Sequence, residues 1–144
     1  MAALSGSFTG KARLQTTVVL SDLPNHELNV VEITGPQKSS DAKWSNARVT
    51  YWGIADLFSG SGSQHGYFIN DHADGDRDWG TFEGKITASS GQVTLEGTWK
   101  FSGGNGKLNG LGGGGKYKGR MISPAEVEMQ WEGEYQLAGV RAQA

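Results

Sequence analysis

Four aspartates and a histidine lie within one short stretch of this chain, INDHADGDRDWG, from Ile69 to Gly80. Carboxylates at this density can bind a metal ion, act as general acid and base, or simply form a polar turn. The residues concerned are Asp71, His72, Asp74, Asp76 and Asp78. The Asp74-Gly75 pair predicts a two-residue hairpin turn, because Asp-Gly between two strand-like segments is typical of that turn.

A two-residue turn at this point places Asp71 opposite Asp78 on the neighbouring strand. Successive side chains of a strand point to opposite faces of the sheet, so this register puts one set of residues on a common face. The set is His65, Tyr67, Ile69, Asp71, Asp78, Gly80, Phe82 and Ile86. Because several of these residues are large and apolar, we expect the face to line the interior, with Asp71 and Asp78 near one rim.

Two carboxylates that face each other inside a protein cannot both ionise without cost, so one of them keeps its proton or pairs with a cation. Such a pair can serve as a general acid–base site, and His65 on the same face could take part. Asp71, Asp78 and His65 are therefore the candidate catalytic residues. The alternative is that both aspartates are exposed at the rim and titrate normally.

Calcium binding is the other chemistry that the aspartates suggest. Three of them match the first ligand positions of an EF-hand loop, which also needs Gly at its sixth position and Glu at its twelfth. This chain has Trp79 and Lys85 at those two positions. We therefore expect no EF-hand and assign no metal and no cofactor, although a tighter site that uses His72 stays open.

The composition argues against several functions. The chain of 144 residues has 13 Lys and Arg against 15 Asp and Glu, with no long block of one sign, so we expect no nucleic-acid partner. The absence of cysteine excludes thiolate metal sites and cysteine nucleophiles. No secretory signal pattern opens the sequence, and no apolar run approaches the ~20 residues of a membrane helix. We expect a cytoplasmic protein with no membrane partner.

The elements that must position these residues are β-strands. Apolar and polar residues alternate most clearly in AEVEMQWEGEYQL and QVTLEGTWKF, and six weaker segments bring the total to about eight strands. No helical period and no linker interrupts them, so we predict a single domain over residues 1–144. A sandwich or a barrel could bury the apolar faces. We predict an all-β, eight-stranded antiparallel up-and-down barrel, because closure removes exposed sheet edges.

A barrel of this size is just wide enough to be filled by side chains or to hold one small ligand. Large residues on the apolar faces would form the walls of a cavity, and Asp56 either orients a ligand or only ends its strand. The candidate ligand-binding residues are Trp52, Asp56, Tyr67, Phe82, Trp99 and Trp131. Trp99 and Trp131 could instead pack in a filled core.

The glycine-rich stretch FSGGNGKLNGLGGGGKYKG, Phe101 to Gly119, carries a resemblance to a known family. Its segment GGNGKL resembles the GGTGKF signature of the allene oxide cyclase and dirigent-like superfamily of calycin-type barrels. The resemblance implies an eight-stranded barrel, often trimeric, whose apolar cavity holds a reactive lipid or phenolic intermediate without a cofactor. It transfers no catalytic residue to this chain.

These observations predict a cofactor-free enzyme that binds a small, largely apolar or aromatic molecule and catalyses an isomerisation, cyclisation or lyase step. A non-catalytic carrier of the same ligand is the alternative. A purely structural barrel with a filled core is a third interpretation, and self-association into a dimer or trimer stays open.

Overall fold

The structure is a computed structural model and describes residues 1–137. Each strand pairs antiparallel with the next, and the last returns to pair with the first, so the sheet closes into a barrel. The predicted eight-stranded up-and-down barrel is confirmed. Its strands are β1 (Ala2–Leu20), β2 (His26–Ser39), β3 (Arg48–Phe58), β4 (Ser61–Asp71), β5 (Arg77–Ser89), β6 (Gln92–Gly104), β7 (Leu111–Ser123) and β8 (Glu126–Leu137). Among the described residues, no helix has the length and apolar character needed to cross a membrane.

In β6 and β8 the apolar residues of the alternating pattern face the barrel interior, as the sequence predicts. Leu95, Trp99 and Phe101 of β6 point inward and are buried, as are Val127 and Met129 of β8. The charged residues between them are exposed or only partly buried on the outer surface. Strict period-two alternation between large apolar and charged residues thus gave the correct inner face for both strands.

Aromatic rings dominate the interior. Trp99 makes edge-to-face contacts with Phe101, Trp131 and Phe68, with ring centroids 5.0, 5.6 and 6.3 Å apart. Each such pair contributes ~0.5–1.5 kcal/mol beyond the apolar area that it buries. The core is therefore a rigid aromatic cluster rather than a set of interchangeable aliphatic side chains.

Two inward-facing glycines make room for a ring inside the barrel. A Cβ atom added to Gly84 or Gly97 would lie 2.5 or 2.7 Å from the hydroxyl oxygen of Tyr117. The same added atoms would also meet the backbone of the paired strand. These positions on β5 and β6 therefore require glycine so that the Tyr117 side chain can lie over both strands and reach Gln64 on β4.

The predicted register of the acidic hairpin is wrong. Asn70 pairs with Asp78, and Asp71 pairs with Arg77, so the loop has an odd number of residues, from His72 to Asp76. An odd loop places residues of β4 and β5 that were expected to share a face on opposite faces. Of the expected set, Asp78, Gly80, Phe82 and Ile86 face inward, whereas His65, Tyr67, Ile69 and Asp71 face outward.

Candidate functional site

The barrel interior contains a cavity of about 80 Å³. Its wall is mostly aromatic and includes Phe68, Phe82, Trp99 and Trp131. The cavity also has polar wall residues, which are Gln37, Gln64, Asn70, Tyr51 and Tyr117. An apolar space with a few converging polar groups is the usual form of a small-molecule site.

Three of the six predicted ligand-binding residues, Phe82, Trp99 and Trp131, lie in this wall. The other three lie on the outer face, where the indole N–H of Trp52 donates to Glu32 at 2.6 Å and the side chain of Tyr67 is 63% exposed. Asp56 points outward, and its Oδ1 forms a hydrogen bond with His26 Nε2 at 2.6 Å. Of the two alternatives for Asp56, an inward polar group is therefore excluded.

Tyr51 and Tyr117 bring two phenolic hydroxyl groups to the cavity. Their rings contact Phe82 edge-to-face, with centroids 5.5 and 5.9 Å from it. The hydroxyl of Tyr117 accepts a hydrogen bond from Gln64 Nε2 at 2.9 Å, which leaves its own proton free for donation to a further acceptor. Both rings are held on β3 and β7 by the packed aromatic core.

The Tyr51 hydroxyl has no hydrogen-bond partner within residues 1–137. Every fully inaccessible side-chain nitrogen or oxygen in this part of the chain does have one, so the Tyr51 oxygen retains some accessible surface. The open space that its side chain lines is the cavity. The wall of this largely apolar space therefore includes a tyrosine whose O–H group has no protein partner.

Both phenols stay protonated over the ordinary pH range. Burial raises the pKa of Tyr51, and the nearby Tyr117 adds to the effect. Burial likewise raises the pKa of Tyr117 to about 12, against a smaller lowering by the Gln64 hydrogen bond. Two neutral O–H donors in an apolar cavity suit a ligand oxygen that accepts hydrogen bonds.

Asp78 lies behind the cavity wall and is fully buried. Its Oδ2 accepts hydrogen bonds from Trp44 Nε1 at 2.9 Å and His72 Nε2 at 2.6 Å. Its Oδ1 accepts one from Asn70 Nδ2 at 2.9 Å. The carboxylate is thus surrounded by three protein donors, and it does not line the cavity.

The polar network extends from Asp78 along the wall of the cavity. Asn70 Oδ1 accepts from Gln37 Nε2 at 3.0 Å, and Gln37 Oε1 accepts from Trp131 Nε1 at 2.8 Å. Each amide therefore uses its oxygen and its nitrogen within the protein. Asn70 and Gln37 serve to orient the wall, which leaves the two tyrosines as the better ligand contacts.

His72 is buried, and each of its ring nitrogens forms a hydrogen bond with an oxygen acceptor. Its Nδ1 lies 2.6 Å from the Lys43 carbonyl oxygen, and its Nε2 lies 2.6 Å from Asp78. Burial alone would lower the pKa of His72, but the bonds to Asp78 and to the carbonyl outweigh it and raise the pKa. His72 is thus a buried member of the polar network around Asp78.

Lys43 organises the rest of the acidic hairpin. Its Nζ ion-pairs with Asp74 at 2.6 Å and with Asp76 at 2.7 Å. The hydrogen bond from Lys43, together with one from the backbone N–H of Asp76, lowers the pKa of Asp74 to about 2. The stretch that looked like a metal loop is thus an ion-paired turn. Within residues 1–137, no cluster of three or more His, Asp or Glu side chains could hold a metal ion.

The side chains of the other two predicted catalytic residues point away from this network. Asp71 points outward and pairs with Arg77 at 2.7 Å, and His65 is exposed on the outer face of β4. The structure therefore does not bring Asp71, Asp78 and His65 together. Neither Asp71 nor His65 lines the cavity.

Sequence reasoning missed Tyr51 and Tyr117, although one signal pointed to Tyr51. In YWGIADLF both alternate sets contain large apolar residues, so hydrophobicity alone does not select the inner face. Tyr51 shares its face with Gly53 and Ala55, and a narrow barrel needs such small residues inside. That signal favours the Tyr51 face over the Trp52 face.

The fold and the cavity together define a closed eight-stranded antiparallel barrel with an aromatic interior. Comparisons with protein-family models, curated proteins and solved structures find no match to this chain. The barrel architecture agrees with the allene oxide cyclase and dirigent-like resemblance, but membership of that family is not shown.

Proposed function

We propose that the barrel binds a small, largely apolar molecule that carries one oxygen able to accept hydrogen bonds, such as a ketone or an aldehyde. The observation that carries the proposal is the Tyr51 hydroxyl, which belongs to a side chain of the cavity wall and has no protein partner. A buried donor without a partner costs ~1–3 kcal/mol, and a ligand oxygen would recover that cost. The proton of Tyr117 offers a second bond to the same ligand.

The cavity volume limits the ligand. A cavity of ~150 Å³ holds benzene, and this one has about 80 Å³. The ligand that fits without side-chain movement is therefore smaller than an aromatic ring. A larger phenolic or lipid ligand, as the family resemblance implies, would need the aromatic wall to rearrange.

Binding without chemistry explains the site better than catalysis does. Among the described residues, no carboxylate and no imidazole lines the cavity, so a proton-abstracting base is missing from its wall. Tyr51 and Tyr117 could polarise a ligand carbonyl, which is one half of an isomerisation. The isomerase or lyase is therefore the second candidate, and the carrier is the first. A cytoplasmic location stays a prediction from the sequence.

A titration with cyclobutanone, followed by ¹H–¹⁵N and aromatic NMR spectra, tests the proposal. We expect saturable shifts concentrated on residues around the cavity, including Phe82 and Trp99. The exposed Tyr67 on the outer face is the internal reference and should not shift. Shifts that do not saturate, or that are as large at Tyr67 as at Phe82, would contradict binding in the cavity.

A further inference from the structure

Strand β1 extends past the strand that closes the barrel. Residues Ala2–Lys11 pair with β8, whereas the pairing with β2 continues to Leu20. A side-chain bond from Gln15 Nε2 to the Pro124 carbonyl oxygen at 2.9 Å marks the end of the contact with the β7–β8 turn. Within residues 1–137, the segment Leu14–Leu20 is thus paired on one side only, and we refer to it as the β1 edge.

The β1 edge lacks the usual protection against strand pairing. Natural sheets guard exposed edges with charged residues or proline. The sequence of the β1 edge, LQTTVVL, contains neither, and Leu14, Val18 and Val19 are 51%, 52% and 77% exposed. A bulge precedes the edge, between Ala12 and Leu14, but the ladder to β2 is regular from Leu14 to Leu20. Seven extended residues present ~23 Å of backbone with free donors and acceptors.

Apolar residues continue from the edge across the outer face of the sheet. Thr16 pairs with Val30, and Val30 pairs with Ile54. Val30 and Ile54 are large apolar residues exposed to solvent, as is Phe58 at the end of β3. An exposed apolar area beside an open strand edge is typical of a protein interaction surface.

We propose that the β1 edge pairs antiparallel with the β1 edge of a second copy of this chain. A two-fold axis at Thr17 would place Leu14 opposite Leu20, Gln15 opposite Val19, and Thr16 opposite Val18. No charge is buried and no like charges meet in this register, so the segment is complementary to itself. The contact is isologous and closes as a dimer. It does not depend on the proposed ligand.

Charge substitutions at the axis test the dimer. In the two-fold pairing Thr17 faces Thr17, so Thr17→Lys and Thr17→Glu each place like charges opposite one another. By sedimentation velocity we expect the unsubstituted chain to dimerise with rising concentration and each variant alone to bind itself about twofold to fivefold more weakly. An equimolar mixture of the two variants should dimerise again, since Lys then faces Glu.

Thr94→Lys is the matched control, because Thr94 is exposed on β6 and paired on both sides. It should leave the dimer unchanged, and circular dichroism should show that all variants stay folded. A chain that is monomeric up to millimolar concentration would overturn the proposal. So would an assembly that tolerates both Thr17 variants, or a mixture that does not recover.

Discussion

Replacement of Asp78 by Asn tests the buried network that the hairpin register creates. Asn has nearly the same shape as Asp but offers one acceptor and one NH₂ group. If the oxygen of the new Asn takes the Oδ2 position, its NH₂ group faces the Nδ2 donor of Asn70. The Asn70 amide cannot flip to offer an acceptor, because its oxygen already accepts from Gln37. If the NH₂ group takes the Oδ2 position instead, it faces the indole N–H of Trp44. Either orientation leaves a donor against a donor.

The cost follows from these contacts. One unsatisfied buried donor costs ~1–3 kcal/mol. The loss of the charge-assisted bond to His72 adds ~1–2 kcal/mol. Asp78→Asn should therefore lower the free energy of unfolding by about 2–5 kcal/mol. At roughly 3 °C per kcal/mol for a domain of this size, the melting temperature falls by about 10 °C.

Asp71→Asn is the matched control, since Asp71 makes a partly exposed ion pair with Arg77 and such pairs contribute ~1 kcal/mol or less. Urea unfolding followed by tryptophan fluorescence gives both values. Because the pKa of His72 is raised in the folded state, its contribution is complete below pH ~6.5 and is lost as pH rises through the folded pKa. The destabilisation caused by Asp78→Asn should therefore become smaller as pH rises. Equal destabilisation by the two variants would refute this account of the network.

Three further predictions concern other side chains. Tyr51→Phe should raise the free energy of unfolding by up to ~1–3 kcal/mol, because it removes a buried donor that has no protein partner. Tyr117→Phe should instead lower it by ~1–3 kcal/mol, because it leaves the amide donor of Gln64 unpaired; chemical unfolding of both variants measures the two changes. His26 has a raised pKa because its ring bonds two aspartates. The stabilisation that it provides is therefore full below pH ~6.5 and lost as pH rises through its folded pKa, and a melting-temperature profile of His26→Gln should lack that loss. Lys43→Met should raise the pKa of Asp74 from about 2 toward its ordinary value, as a carboxyl NMR titration would show; an unchanged value would mean that the ion pair does not form in solution.

The strands and two inner faces could be predicted because the sequence alternates strictly there. In β6 and β8 large apolar residues alternate with charged ones, and only one face can be buried. In β3 both faces carry large apolar residues, so the choice depends on the width of the barrel. Gly53 and Ala55 indicate the inner face of β3, because a narrow barrel needs small residues inside. This inference can be made only after a barrel is assumed.

The acidic hairpin shows why local turn rules failed at the site. Asp74-Gly75 favours a two-residue turn, yet the loop runs over five residues, from His72 to Asp76. Lys43, 31 residues before Asp74, ion-pairs with the loop, and the buried His72–Asp78 bond holds its base. These long-range contacts outweigh the local preference, and no pattern within the hairpin itself reports them.

In the proposed site, Tyr51 donates a hydrogen bond to an oxygen of a ligand in the barrel. The most direct measurement compares cyclobutanone with methylenecyclobutane, which has nearly the same shape but no such oxygen, in the unsubstituted chain, in Tyr51→Phe and in the outer-face control Tyr67→Phe. We predict that the ketone binds more tightly than the alkene by about threefold to tenfold, that Tyr51→Phe removes most of this preference and that Tyr67→Phe leaves it intact. A preference that survives in Tyr51→Phe, or no preference in the unsubstituted chain, would contradict the claim.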